Sequence, residues 1–265
     1  MSDATIKVEL HCHTLFSKDG FMDFASLNRT AQAIGLDAVA ITDHDTIEGA
    51  KEFQRQAESQ SVPLRIIVGE EKTLADGSHF IGLFLTKPIE SEDLAGAIEE
   101  IESQGGLCLI PHPFRKKDGL LRHGLERLRL FERRPAGFEL FSAKSSYEEN
   151  RQARQLLSTG LGPFGGSDAH YESDLGESMN VVHWTGDLRS SLGRMFEGKA
   201  AFKIFGKRQE EGAAERTYAP LYYRWKKHLK VPKPLLPLAK QSYRWYRNKK
   251  LGVGRKALVE VYAHP

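Results

Sequence analysis

Six of the ten histidines in this 265-residue chain stand in short clusters with prolines or acidic neighbours. They occur as His11-Cys12-His13, Asp43-His44-Asp45, His79 eight residues after the Glu70-Glu71 pair, Pro111-His112-Pro113 and Asp168-Ala169-His170. Residues two apart on an extended strand share a face, so His11 and His13 point together and Cys12 points away into the core. Two neutral imidazoles on one face suit a divalent transition metal. Three titratable groups in a row at 43–45 repel or stay hydrated unless a cation or partner meets them. His44 is the expected ligand there, with Asp43 or Asp45 beside it and Asp45 or Thr46 capping the next helix. Adjacent glutamates on a strand face opposite ways. Glu71 is the expected inward one, able to bridge two cations through its two oxygens. Prolines on both sides fix the backbone at His112, and Asp168 and His170 again share a face. Taken singly, a Glu-Glu pair or an Asp-x-His reads as an ordinary solvated turn. The case for a metal site rests on all the clusters meeting.

The elements between them are arranged to make that happen. Short apolar runs recur at Ile6–Leu10, Ala38–Ile41, Arg65–Val68, Phe80–Leu85, Leu107–Ile110, Phe138–Phe141, Pro163–Gly165 and Asn180–Val182. Between most of them lie helical stripes, such as Phe24, Leu27, Ala31 and Ile34, or Leu94, Ala97, Ile98 and Ile101. Asp23, Thr46 and Ser91 stand where helices should begin, and Gly35, Gly105 and Gly160 where they should stop. Strand alternating with helix over some 200 residues predicts an α/β fold, either an open parallel sheet or a barrel. His11, His44, His112 and Asp168 each follow an apolar run, at the carboxyl end of its strand. A (β/α) barrel gathers all those ends at one rim, whereas an open sheet concentrates ligands at one switch point. The barrel is therefore the expected architecture.

Composition bounds the rest. An apolar share of 40% and a charged share of 28% are those of a globular chain. No apolar run reaches the roughly 18 residues that a membrane-crossing helix needs, and residues 1–10 lack a signal-peptide pattern. Two cysteines, Cys12 and Cys108, make no disulfide framework, so a reducing cytoplasm is the expected compartment. The net charge of +3 conceals a break: residues 1–200 hold 22 Lys/Arg against 31 Asp/Glu, and residues 201–265 hold 16 against 4. Two regions are expected, 1–203 and a basic, aromatic-rich extension over 204–265.

Read in order, the strings HCHTLFSKDG, AITDHDTIEGAKEF, IIVGEEKT with DGSHFIGLFL, PHPF, FELF and GGSDAH resemble the successive motifs of the PHP (polymerase and histidinol phosphatase) superfamily over residues 7–180. The resemblance implies a distorted (β/α)7 barrel, here with a basic C-terminal extension, and two or three divalent metal ions at its mouth. It implies that His11, His13, Glu71 and Asp168 surround one ion. Glu71 would bridge to a second, held also by His79 and His112, and a third would use His44, His170 and Asp19. It implies a phosphoesterase acting on a phosphomonoester: a nucleotide, a nucleic-acid end or a small metabolite.

The chemistry follows from the metals. A cation that lowers the pKa of bound water, beside another that neutralises phosphoryl charge, suits in-line attack of hydroxide on phosphorus. His170 or a neighbouring aspartate, Asp43, is expected to shuttle a proton. Arg115 is placed to grip a phosphate, or else is a solvated loop arginine. Imidazole and carboxylate mixtures accept manganese, zinc or iron. The extension interleaves Lys and Arg with Tyr and Trp, which suits single-stranded nucleic acid, an anionic membrane surface, or simple packing on an acidic barrel. Two rivals remain from sequence: an amidohydrolase-type metal hydrolase, and a non-catalytic nucleic-acid-binding module of the same family.

Overall fold

A computed structural model describes residues 4–131, 136–209 and 257–264. All eight apolar runs become strands: β1 (Thr5–Cys12), β2 (Ala38–Ile41), β3 (Arg65–Thr73), β4 (His79–Leu83), β5 (Leu107–Ile110), β6 (Ala136–Ser142), β7 (Gly162–Gly166) and β8 (Ser178–His183). Two further strands, β9 (Phe202–Lys207) and β10 (Leu258–His264), extend the sheet, whose order is β10-β9-β8-β1-β2-β3-β4-β5-β6-β7. The helices are α1 (Phe24–Ile34), α2 (Glu48–Ser59), α3 (Leu94–Ser103), α4 (Tyr147–Ala153) and α5 (Leu188–Phe196).

Helical periodicity explains the packing. Phe24, Leu27, Ala31 and Ile34 of α1, and Leu94, Ala97, Ile98 and Ile101 of α3, are the residues buried against the sheet. Asp23 caps α1 through Ser26 N, and Gly35 ends it in the left-handed conformation at φ 76°. Two expected caps move. Asp93, not Ser91, caps α3, and α2 begins at Ile47 without a side-chain cap.

β2, β4, β5 and β7 are buried on both faces, as strands of a covered sheet must be. Along β1 the alternation separates two environments. Val8, Leu10 and Cys12 enter the apolar core, while Glu9, His11 and His13 turn to the opposite face and are equally buried.

Strict strand–helix alternation, as in a regular (β/α)7 barrel, is broken most plainly at β4. β1, β2 and β3 run parallel, as do β5, β6 and β7, but β4 is antiparallel to both its neighbours. The cause is a tight reversal after β3, where Leu74 N bonds Ser78 O and Gly77 takes φ 77°. No crossover helix is then needed between β3 and β4.

The sheet curls so that the end of β7 returns to β1. Cys12 and Ala169 form a parallel bridge, with His13 N donating to Ala169 O at 2.8 Å. Lower down, β1 pairs instead with β8, from Thr5↔His183 to Val8↔Asn180. A side chain covers the gap this leaves. Buried Asn180 donates through Nδ2 to Val8 O (3.1 Å) and Gly165 O (2.8 Å), and accepts from Gly165 N (2.8 Å). The boundary expected at 203/204 falls inside β9, and β10 pairs back onto β9, so both ends of the basic segment belong to the sheet. The basic, aromatic-rich stretch itself lies outside the described residues.

Two predictions follow from this architecture. Asn180→Ala leaves three buried backbone groups without partners, which costs on the order of 3 kcal/mol; the urea midpoint falls accordingly, and an unchanged midpoint would mean that the seam closes without Asn180. The second concerns Glu70, buried on the outer face of β3, where Oε2 accepts from Ile89 N at 2.9 Å. Burial raises its pKa from 4.5 to about 7 against the opposing Ile89 hydrogen bond. The folded state then holds a proton that the unfolded chain has released, so stability falls as pH rises from 4.5 through 7. Glu70→Gln flattens that fall in thermal melts taken between pH 5 and 8.

Candidate metal centre

The strand ends deliver their side chains to one rim. His11 lies on β1 and His13 just beyond it, while His44 follows β2 and bridges to Glu71 of β3. His112 follows β5 at φ 28° and Asp168 follows β7 at φ 49°, both in the left-handed region that non-glycine residues occupy only when their surroundings hold them there. His79 is the first residue of β4, not one that follows an apolar run. Because β4 runs against its neighbours, its amino end reaches the rim where the others present their carboxyl ends.

Glu71 stands at the centre, fully enclosed. Its Oε2 lies 3.4 Å from His11 Nε2, 3.2 Å from His13 Nε2 and 3.4 Å from His44 Nδ1. Its Oε1 lies 3.0 Å from both His79 Nδ1 and His112 Nε2. One carboxylate thus faces two sets of imidazoles with its two oxygens. Asp168 Oδ1 closes the first set, 3.5 Å from His11 Nε2 and 3.3 Å from His13 Nε2. A third group forms at the outer edge, where Asp19 Oδ2 is 3.4 Å from both His44 Nε2 and His170 Nε2, and His170 stacks on His13. All nine ligand candidates therefore meet, Asp19 among them.

The donor set fits divalent ions. His11 Nε2 and His13 Nε2 are 3.2 Å apart, and two ligands bound at about 2.1 Å to one ion are separated by roughly that distance. The buried His44 Nδ1, which faces Glu71 Oε2, has no hydrogen-bond partner among the described residues. Nitrogen and oxygen donors in this mixture suit zinc, manganese or iron rather than calcium.

The electrostatics are those of opposite charges forced together. Burial works against ionised Glu71, yet His11, His79 and His44 hold it well below the usual carboxylate range. Asp168 is lowered likewise, against its burial, by His11 and Arg115. Burial would lower His13, but Asp168 and Glu71 raise it to about 10. Asp19 is held far below its ordinary value by His170 and His44 despite being desolvated. His112 moves the other way, down, through burial and the nearby Arg115.

Two expected roles find a different setting. Asp43 spends both oxygens on Thr14, at 2.6 Å to its N–H and 2.6 Å to its hydroxyl, and so braces the end of β1 against β2. Arg115 is no free loop arginine. Its Nε reaches Asp118 at 2.6 Å and its Nη1 reaches Asp168 at 2.7 Å, strapping two loops together across the rim. Two buried carboxylates beside the rings of ligand histidines were not singled out from sequence: Asp118, 3.5 Å from His112 Nδ1, and Glu139 of β6, 3.2 Å from His11 Nδ1. Glu139 had a signal, a carboxylate alternating with Phe138 and Leu140 in an apolar strand. Asp118, in a Lys-Asp-Gly turn, had none.

The PHP domain profile matches residues 9–193. An uncharacterised protein of Methanocaldococcus jannaschii is 32% identical over 120 residues, which cover 41% of this chain and 68% of that protein. Among solved structures, a two-domain Bacteroides vulgatus protein containing a predicted PHP-like metal-dependent phosphoesterase superposes with a TM-score of 0.62 at 23% identity, over 77% of this chain and 65% of that one. A lesion-specific endonuclease from Pyrococcus furiosus superposes with a TM-score of 0.61 at 16% identity, over 87% and 68%. These two structural likenesses speak for the fold. The chain spans less than two thirds of the Bacteroides protein.

Binding to the folded state alone stabilises it by about 2.7 kcal/mol at a hundredfold excess over Kd. Manganese or zinc added to chelator-treated protein should therefore raise the melting temperature by several degrees, and Asp168→Asn should lose most of that rise. An equal rise in both proteins would place the ions elsewhere.

Proposed function

The chain belongs to the PHP domain family, and from that premise we propose that it is a metal-dependent phosphoesterase hydrolysing a phosphomonoester. The observation that carries this reading is the division of ligands by Glu71, with three imidazoles against one oxygen and two against the other. A carboxylate so placed is suited to join two neighbouring cations, and Asp19, His44 and His170 offer a third position. When bound, such cations make a nucleophile available from water at neutral pH and offset charge on the phosphoryl oxygens.

The protein's own groups then have distinct tasks. His11, His13 and Asp168 hold one position, and His79 and His112 the next. His170 keeps part of its ring accessible at the outer edge, and its Nδ1 lies 2.8 Å from the Asp168 carbonyl oxygen. If Nδ1–H donates there, Nε2 is left as the basic nitrogen, which would serve a third ion beside Asp19 or, with that position empty, would hold or pass a proton at the mouth. Asp43, engaged by Thr14, contributes by orienting the β1 end. Arg115 keeps Asp168 and Asp118 in place, and its remaining nitrogen, Nη2, is proposed to meet an incoming phosphate oxygen.

Manganese, zinc or iron in two or three positions is the expected complement. The family premise favours a nucleotide, a nucleic-acid end or another small phosphomonoester as substrate. Residues 1–203 carry the chemistry in this reading. The basic segment after them is proposed to add affinity for single-stranded nucleic acid or, failing that, for an anionic membrane surface.

The test is a substrate panel with manganese-loaded protein. Wild type should release phosphate from mononucleotides or p-nitrophenyl phosphate, and the His11→Ala/Asp168→Ala double variant, folded by circular dichroism, should lose at least a thousandfold in kcat/KM. Wild-type rates in that variant would sink the reading. Hydrolysis of lactones or cyclic amides with no phosphoester turnover would move the assignment to carbon-centred metal hydrolysis.

A further inference from the structure

Beneath the ligands lies one carboxylate that the proposed chemistry does not use. Glu139 on β6 is fully buried, and its two oxygens serve two different ligand strands. Oε1 lies 3.2 Å from His11 Nδ1, and Oε2 accepts the backbone N–H of His112 at 2.6 Å. We propose that Glu139 is the positioning residue of the metal centre, fixing the ring of His11 and the backbone of His112 at once. The inference rests on the metal-dependent reading above and deepens it.

The two nitrogens of an imidazole cannot both serve an ion, and the group hydrogen-bonded to one decides which nitrogen offers its lone pair. On His11, Nε2 faces His13 Nε2, Glu71 and Asp168, while Nδ1 points down to Glu139. A carboxylate at that place accepts Nδ1–H and leaves the Nε2 lone pair directed at the ion. It also stops rotation about the Cβ–Cγ bond, which would otherwise swing the ring away from the ligand set. His112 needs a different kind of help. Its backbone sits at φ 28°, a conformation that persists in a non-glycine residue only when its surroundings hold it. The short bond from His112 N to Glu139 Oε2 holds it, and the ring then meets Glu71 Oε1 at 3.0 Å.

A glycine on a third strand completes the arrangement. A Cβ on Gly166 would collide with Glu139 Oε1 and come 2.9 Å from His11 Cβ. Gly166 is not among the positive-φ glycines, so what matters there is its missing side chain. That space is what lets a glutamate on β6 reach a histidine on β1 past β7. An amide in place of the carboxylate has one oxygen for two donors, so glutamine at 139 keeps the shape but must abandon either His11 or His112.

The experiment uses the full-length protein and two variants, Glu139→Gln and Glu139→Met. Zinc affinity is measured by competition with a chelating dye, and the zinc-loaded protein is inspected by NMR for the His11 Nδ1–H proton. Wild type should show that proton downfield and slow to exchange. Glu139→Met should lose it, and both variants should bind zinc 10- to 100-fold more weakly at unchanged secondary structure. Should Glu139→Met fail to fold, the affinity of Glu139→Gln decides. Variants that bind zinc as tightly as wild type overturn the positioning role and leave the phosphoesterase reading standing. A wild type that binds no divalent ion overturns both.

Discussion

An ionised carboxylate in a sealed barrel is tolerable only if its surroundings are built to match it. Glu71 has five imidazole nitrogens within 3.4 Å of its two oxygens, and without such partners its burial would cost several kcal/mol. That requirement orders the rest of the structure. Five imidazoles cannot be delivered to one carboxylate by neighbouring residues, because strand geometry turns every second side chain away. They must come from several strands, and the strands must end together.

The fold meets that demand in two ways. Parallel strands with helical returns present carboxyl ends, which is how β1, β2, β5 and β7 bring in His11, His44, His112 and Asp168. The β3–β4 hairpin does the opposite, so that a glutamate within one strand and a histidine opening the next face each other at the rim. Around these, a layer of hydrogen bonds steadies the ligands: Thr14 on Asp43, Arg115 between Asp118 and Asp168, Glu139 under His11 and His112.

Much of this was legible in the chain itself, for a physical reason. Ligands at the end of apolar runs leave a period-two trace, as in His11-Cys12-His13 and Asp168-Ala169-His170, and the helical stripes of α1 and α3 repeat at three and four. Alternation required that one of Glu70 and Glu71 face inward without saying which, and the two prolines around His112 marked a constrained backbone. Other features leave no local trace. That β4 is antiparallel depends on how its hairpin pairs, and nothing near His79 announces it. The strap role of Arg115 depends on Asp168, 53 residues away in sequence, and Glu139 acts on a histidine 128 residues away. Contacts of that kind are made by topology, and residue types alone do not encode them. β9 and β10 were missed for a related reason: they lie in or beside a segment whose composition is dominated by charge.

The way β1 divides its free edge has a consequence for how such a protein can diverge. Its upper half bonds the chain leaving β7, its lower half bonds β8, and Asn180 stitches the fork between them. The curled sheet is thus bridged through Cys12 and Ala169 where the ions would sit and stands split at its base. New material can be added at the split by lengthening a sheet that is already open there, as β9 and β10 lengthen it beyond β8. The closed rim above is untouched by such additions, so what is appended can change while the ligand set stays put.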